Sequence, residues 1–182
     1  AKWEARDDVT GRESAIDDKW ATLSQLSASK KQVLEDDLAR EQKKEELRLA
    51  YANAAGSLQR WTKETCENVA ASHFGFTLEE VEAYKATMEA NDAEINSAAS
   101  EKRAACDSVF NEGAELGVKD NVYTSVSLAD LDNEKSGLDS TLEARRTKYA
   151  AELKTQQEND ALCKSFAEVA DPFSSWMTTQ KD

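Results

Sequence analysis

Apolar residues recur along this chain at alternating intervals of three and four positions, the spacing that lines one face of an α-helix. Two interruptions divide the pattern, one around Gly75 and one that runs from Gly113 to Tyr123. The pattern therefore predicts three long helices, over about residues 14–71, 77–116 and 125–170. The only proline is Pro172, so no proline interrupts these segments.

Each predicted helix carries an apolar stripe, and the stripes identify the residues expected in the core. Arg145 also falls on the third stripe, where we expect its aliphatic stem to pack while its guanidinium reaches water. Lys102 is a polar member of the second stripe. The predicted bundle core contains Leu47, Tyr51, Leu58, Trp61, Val81, Met88, Ile95, Val109, Leu131, Leu138 and Tyr149.

Local signals predict where the helices begin and end. Thr77 with Glu80 has the pattern of a capping box, and Ser125 or Ser127 can cap the third helix. Pro172 follows an aspartate, which is typical of a new helix start because proline is tolerated in a first turn. In a helix interior the same proline costs about 3 kcal/mol. We therefore predict a break or kink at Pro172.

The first predicted helix is too long for one small domain. It follows a polar leader that ends at Gly11, and it runs to about residue 71. At about 1.5 Å per residue, such a helix spans more than about 80 Å. A helix of this length must belong to more than one bundle, so the sequence predicts a rod.

The composition fits an all-α rod. Six glycines and one proline supply few turn residues, while 40% apolar and 32% charged residues suffice for stripes but not for a thick core. The net charge of −13 disfavours binding to nucleic acids and to anionic membranes, because phosphate groups repel an acidic surface. The simplest interpretation of this charge is solubility.

The sequence offers little material for catalysis or metal binding. Cys66, Cys106 and Cys163 form no CxxC pair, and we expect them to be buried, reduced thiols. His73 is the only histidine and is expected to pack in a turn over the end of the bundle. No phosphate-binding, metalloprotease or nucleophile motif is present. We therefore predict no enzyme activity, cofactor or metal, and the lack of a signal-like segment favours a cytoplasmic location.

An internal repeat is the most specific feature of the sequence. Trp61 aligns with Trp176 at an offset of 115 residues, and residues 16–61 then align with 131–176 without gaps. Two unrelated amphipathic helices would share some apolar positions, but they would not be expected to share aromatic and basic positions as well. The matches include Ile16 with Leu131, Leu23 with Leu138, Leu34 with Tyr149, Leu47 with Leu162, Tyr51 with Phe166, Leu58 with Phe173, and Lys30-Lys31 with Arg145-Arg146.

A unit of about 115 residues with three helices, the third running into the next unit, resembles a spectrin repeat. The segment from Leu47 through Tyr51 to Trp61 resembles the first helix of such a repeat, and the segment from Leu162 to Trp176 resembles it again. Residues 38–51 are similar to the α-actinin rod, and residues 158–166 are similar to amoebal and protozoan α-actinins. The resemblance covers about residues 14–180. Lys135 departs from it, since the first copy has a tryptophan there.

This resemblance implies a division of the chain by helix role. Residues 1–13 would be a leader, and residues 14–43 a third helix of a preceding repeat. Residues 44–160 would form a complete repeat, and residues 161–182 the first helix of a following one. The implied fold is a spectrin-like three-helix coiled-coil bundle with long helices shared between adjacent repeats.

The resemblance also implies actin crosslinking by an antiparallel homodimer, with actin-binding heads outside this chain. The two partial repeats leave apolar stripes that a second copy could cover. Two other interpretations are a spectrin- or plakin-like scaffold that docks partners laterally and a membrane-bending dimer, which the negative charge disfavours. The candidate dimer contacts are Ile16, Trp20, Leu23, Leu34, Leu162, Phe166, Phe173 and Trp176.

Overall fold

The computed structural model describes residues 6–180, which form three long helices. Helix α1 spans Arg6–Ala70, α2 spans Leu78–Glu115 and α3 spans Leu128–Thr179, with lengths of 65, 38 and 52 residues. Each helix contacts both of the others, and no strand occurs between residues 6 and 180. Because the chain reverses at each connection, α1 and α3 run in the same direction and α2 runs against them. The predicted all-α, spectrin-like three-helix bundle is confirmed.

The start of α1 differs from the prediction. The helix already includes Arg6 and continues through Gly11, so the part of the expected leader that the structure describes is helical. A glycine costs a helix only about 1 kcal/mol relative to alanine. Asp7 and Asp8 in the first turn favour the helix, because their charge complements the positive end of its dipole. Gly11 is therefore too weak a signal to stop α1.

The predicted capping box of α2 is present, and α3 begins with a second box that the sequence analysis had predicted only as a cap. The Thr77 hydroxyl accepts a hydrogen bond from the Glu80 N–H at 3.2 Å, and the Glu80 carboxylate accepts one from the Thr77 N–H at 3.2 Å. Ser127, rather than Ser125, caps α3, and it exchanges the same pair of bonds with Asp130. Each box satisfies two backbone donors that the first turn of a helix leaves unpaired.

We predicted a break or a kink at Pro172. The break is wrong, because α3 is continuous through this residue, and the kink stays a prediction. Proline cannot donate to the carbonyl of Glu168, which loses its helical partner. Residues 171–180 are exposed, and so is Glu168. That carbonyl can be hydrated at this exposed position, so the lost bond does not require the helix to stop.

The core lies between residues 47 and 149 and consists of three successive clusters. The first, where α3 begins, joins Tyr51 and Leu58 to Cys106 and Leu131, and the second joins Val69, Ile95 and Ala99 to Leu138 and Leu142. The third joins Val81, Met88 and Tyr149, with the Phe74 ring packed edge-on to Tyr149 at 5.7 Å. Each fully buried large side chain stabilises the bundle by roughly 1.5–3 kcal/mol. Of the core residues predicted from the sequence, all are buried except Trp61 and Val109, which are partly buried.

The guanidinium of Arg145 does not reach water as expected. Its side chain is 3% exposed and forms an ion pair with Asp92, whose side chain is 6% exposed. Arg145 Nη1 also donates to Asn91 Oδ1 at 2.8 Å, and Arg146 Nε donates to the second Asp92 oxygen at 2.7 Å. The expectation failed because α2 supplies a carboxylate inside the bundle, where an unpaired arginine would be too costly to bury.

Candidate functional site

Two stretches of helix project beyond the bundle and are exposed along their lengths. We call residues 7–43 of α1 the N-terminal extension and residues 161–180 of α3 the C-terminal extension. Every residue of the first is exposed, and so is every residue of the second except the half-buried Ala170. Because α1 and α3 run in the same direction, the extensions leave opposite ends of the bundle.

The N-terminal extension carries an apolar stripe that nothing in residues 6–180 covers. Ile16 is 54% exposed, Trp20 63%, Leu23 54% and Leu34 58%. The helix therefore presents large apolar side chains to solvent at three- and four-residue intervals, which is the arrangement of a coiled-coil seam.

The C-terminal extension carries a similar stripe. Its exposed residues are four and three positions apart, and two of them, Phe173 and Trp176, stack with ring centroids 6.0 Å apart. Contacts between neighbours on one helix cover only a small part of these rings, since Phe173 remains 60% and Trp176 58% exposed. The other exposed members of this stripe are Leu162, Phe166, Val169 and Met177.

The loop between α2 and α3 packs against α1 where the N-terminal extension meets the bundle. Arg48 Nε donates to the Asp120 carbonyl at 3.0 Å, and Asn121 Nδ2 donates to the Arg48 carbonyl at 2.8 Å. The Tyr123 hydroxyl donates to Glu45, which raises the pKa of the Tyr123 phenol and lowers the pKa of Glu45. These bonds hold an irregular loop in one place.

A cavity of about 430 Å³ lies beneath this loop. Its floor includes Leu47, Val109 and Tyr51, whose hydroxyl donates to the Val126 carbonyl at 3.0 Å. The ring of Phe110 lies 5.8 Å from that of Tyr51 and is 44% exposed. The sequence pattern predicted neither the cavity nor the loop contacts. They depend on the loop conformation, including the positive φ of Gly117, which no periodic pattern encodes.

The cysteines and the histidine differ in their surroundings from what was expected. Cys106 is buried, which raises the pKa of its thiol, but Cys66 is half-buried and Cys163 is exposed on the C-terminal extension. All three are free. His73 is exposed, with its ring 5.9 Å from that of Phe76.

Among residues 6–180, no group of three His, Cys, Asp or Glu side chains could hold a metal ion. In the same part of the chain, no helix is long and apolar enough to cross a membrane.

The fold and its two exposed extensions define a spectrin-like, three-helix rod segment. Comparison with known proteins shows that this segment is similar to α-actinins, and the resemblance predicted from the sequence is confirmed. Sarcomeric α-actinin of Drosophila melanogaster is 26% identical over 181 residues, and α-actinin-4 of Gallus gallus is also 26% identical over 181 residues; each alignment covers 96% of this chain. α-Actinin A of Dictyostelium discoideum is 25% identical over 166 residues, or 90% of the chain. No protein-family model matches the sequence.

The alignments cover 19–20% of each relative, so the chain spans about a fifth of the length of the α-actinins that it matches. The similarity therefore concerns one segment of those proteins and extends over nearly the whole of this chain.

Proposed function

We propose that this chain is a structural rod segment of an actin-crosslinking cytoskeletal protein. It spaces actin-binding heads that lie outside the chain, and it pairs with a second copy in antiparallel orientation. In this proposal residues 44–160 are one complete repeat, and the two extensions belong to partial repeats. The location would be the cytoplasmic cytoskeleton, with no catalytic role and no nucleic-acid or membrane partner.

The observation that carries this proposal is the pair of exposed apolar stripes in a segment similar to α-actinins. Covering a large apolar side chain is worth roughly 1.5–3 kcal/mol, so several such residues on each extension provide a substantial driving force for association. Contiguous apolar residues exposed along one face are typical of surfaces that contact another protein.

A two-fold antiparallel arrangement covers both stripes with one type of contact. The N-terminal extension of each copy lies beside the C-terminal extension of the other, and the same contact occurs twice. The two bundles then lie side by side, and the chains project from both ends of the rod. Heads attached beyond them would be held at opposite ends, which is what a crosslinker requires.

Light scattering after size exclusion, over a range of concentrations, tests the pairing. A mass near twice 20.1 kDa supports the proposal, whereas a monomer at every concentration contradicts it. Replacing both Trp20→Ala and Trp176→Ala should shift the dimer to monomer. Phe76→Ala is a matched control, because Phe76 is an exposed aromatic residue outside both extensions.

A lateral groove supports a second candidate function, that of a scaffold repeat that docks other proteins. The groove has a volume of about 980 Å³ between α1 and α3, and its lining includes Thr62, Cys66 and Gly137. A chain that remains monomeric and binds a partner through this groove would favour the scaffold over the pairing rod. Replacing Gly137→Trp should then abolish partner binding without changing the mass of the free chain.

A further inference from the structure

We propose that the N-terminal extensions of two copies of this chain pair in antiparallel orientation, with Glu13 of each copy opposite Lys30 of the other. This contact goes beyond the pairing of unlike extensions described above and does not depend on it. By two-fold symmetry each charge pair and each apolar contact occurs twice.

The C-terminal extension is too short to cover the whole N-terminal extension. Its 20 residues span about 30 Å, whereas the 37 residues of the N-terminal extension span about 55 Å. A C-terminal extension that starts where the bundles end therefore reaches only to about residue 24 of the other copy. Val9, Ile16 and Trp20 lie beyond that point and are 37%, 54% and 63% exposed. This outer part of the stripe needs a different neighbour.

The stripe of the N-terminal extension is compatible with its own reversal, and we call its eight positions, which are spaced alternately four and three residues apart, the seam. When a second copy runs in the opposite direction, Glu13 faces Lys30 rather than a like charge, and large apolar residues face each other at the centre. The facing pairs are Val9 with Leu34, Glu13 with Lys30, Ile16 with Ser27 and Trp20 with Leu23.

The bundle of this chain contains the same kind of contact between α2 and α3, which run in opposite directions. A carboxylate on the α2 seam, that of Asp92, pairs with Arg145 on the α3 seam and also with Arg146. Apolar residues on either side of the ion pair meet in the core clusters. The apolar pairs are Met88 with Tyr149, Ala99 with Leu138 and Cys106 with Leu131.

The N-terminal extension has the residue pattern of both helices. At the repeat offset of 115 residues it matches α3, with Lys30 in place of Arg145. At an offset of 79 residues it matches α2, with Glu13 in place of Asp92. One copy can therefore take the α2 role and the other the α3 role, and by symmetry each takes both. The further matches to α2 are Val9 with Met88, Ile16 with Ile95, and Ser27 with Cys106; Trp20 departs from Ala99 by its size.

The seam leaves surface for a C-terminal extension beside it. Leu26 and Val33 lie three residues after Leu23 and Lys30, at the edge of the seam, and are 63% and 58% exposed. Both fall within the part of the helix that the C-terminal extension reaches. Contact with two neighbours has a precedent in the bundle, where Leu131 lies in one cluster with residues of both α1 and α2. The two contacts together join pairs of copies end to end.

Charge reversal tests the contact in a background that removes the C-terminal stripe, Phe173→Ala with Trp176→Ala. In this background, light scattering after size exclusion should give a mass near twice 20.1 kDa. Glu13→Lys alone, or Lys30→Glu alone, places like charges opposite each other at both ends of the seam and should weaken association at least about thirtyfold. An equimolar mixture of the two single variants restores both pairs of opposite charges and should dimerise again.

Asp18→Lys is the matched control. It makes the same change of charge as Glu13→Lys on the same helix, but Asp18 is exposed two residues from both Ile16 and Trp20, on the face opposite the seam. We expect it to leave the mass of the background variant unchanged.

Failure of this contact and failure of the pairing of unlike extensions give different results. A background variant that is monomeric at every concentration overturns the contact, and so does a dimer that both charge reversals leave intact. The same dimer in the original chain and in the background variant, lost on charge reversal in both, supports this contact and contradicts the pairing of unlike extensions. Masses above twice 20.1 kDa in the original chain alone support both contacts.

Discussion

The ion pair between Arg145 and Asp92 is the most consequential polar contact inside the bundle. It joins α3 to α2 and brings in Asn91 and Arg146 as further hydrogen-bond partners. Arg145 Nε and the Tyr149 hydroxyl, both buried, have no partner within residues 6–180. The cluster therefore depends on one carboxylate to compensate a buried guanidinium.

Replacing Asp92→Ala is expected to destabilise the bundle by about 3–5 kcal/mol, because it leaves the Arg145 guanidinium buried without a counter-charge. Urea denaturation followed by circular dichroism measures the change. The double variant Asp92→Leu with Arg145→Leu removes both charges and should lose far less. Equal losses in the single and double variants would mean that packing, rather than the unpaired charge, dominates.

For individual residues, the sequence predicted which side chains face the core better than it predicted which polar groups contact those side chains. Periodicity placed Arg145 on an apolar stripe, and the residue is buried. The burial of its charged group could not be inferred, because that depends on the register between α2 and α3. A signal was present in Asp92, an acid beside a stripe position on the facing helix, but only the packed bundle shows that the two meet.

The starts of helices α2 and α3 were predictable from the sequence. The start of α1 and the continuation of α3 through Pro172 were not. A capping box is a local pattern, and both boxes form where suitable residues occur. Gly11 and Pro172 are local signals as well, but each lies inside a helix. A single residue that disfavours a helix does not end it when the flanking residues favour helix and the unpaired carbonyl can be hydrated.

The capping carboxylates should make stability fall in acid. The pKa of Glu80 is lowered chiefly by the N–H of Phe76 and then by that of Thr77, and the pKa of Asp130 is lowered chiefly by the Ser127 hydroxyl. Since both pKa values are lower in the folded chain, the unfolded chain binds protons more readily. Their contribution is present above the unfolded values, about pH 4, and is lost as the pH falls through the folded values.

The variant Glu80→Gln with Asp130→Asn should be less stable than the original chain at pH 7, and its stability should fall less between pH 5 and pH 2. Urea titrations at several pH values measure both effects. Glu64→Gln with Glu79→Gln is a suitable control, because it removes two carboxylates at exposed positions that are not part of either capping box. Parallel pH profiles for the original chain and the capping variant would show that the boxes do not contribute to acid sensitivity.

Over the whole molecule, the internal repeat predicted more than any single motif. It indicated the rod, the bundle and the two projecting stripes, because helices of the same kind recur at a fixed offset. It could not reveal the cavity under the α2–α3 loop. The loop over that cavity is held by hydrogen bonds of the Arg48 side chain to the loop backbone and of the Asn121 side chain to the α1 backbone. Such contacts follow no periodic pattern in the sequence.

Pairing of the extensions should couple the stability of the chain to its concentration. Association with the native state raises the melting temperature by mass action, so a hundredfold increase in concentration should raise it by about 2–5 °C. The variant Trp20→Ala with Trp176→Ala should melt at a temperature independent of concentration, close to that of the dilute original chain. Both tryptophans lie outside the bundle core, so their removal should not destabilise the monomer. Calorimetry over that concentration range measures both. A melting temperature that rises equally in the variant would show that the copies associate through the bundle rather than through the extensions.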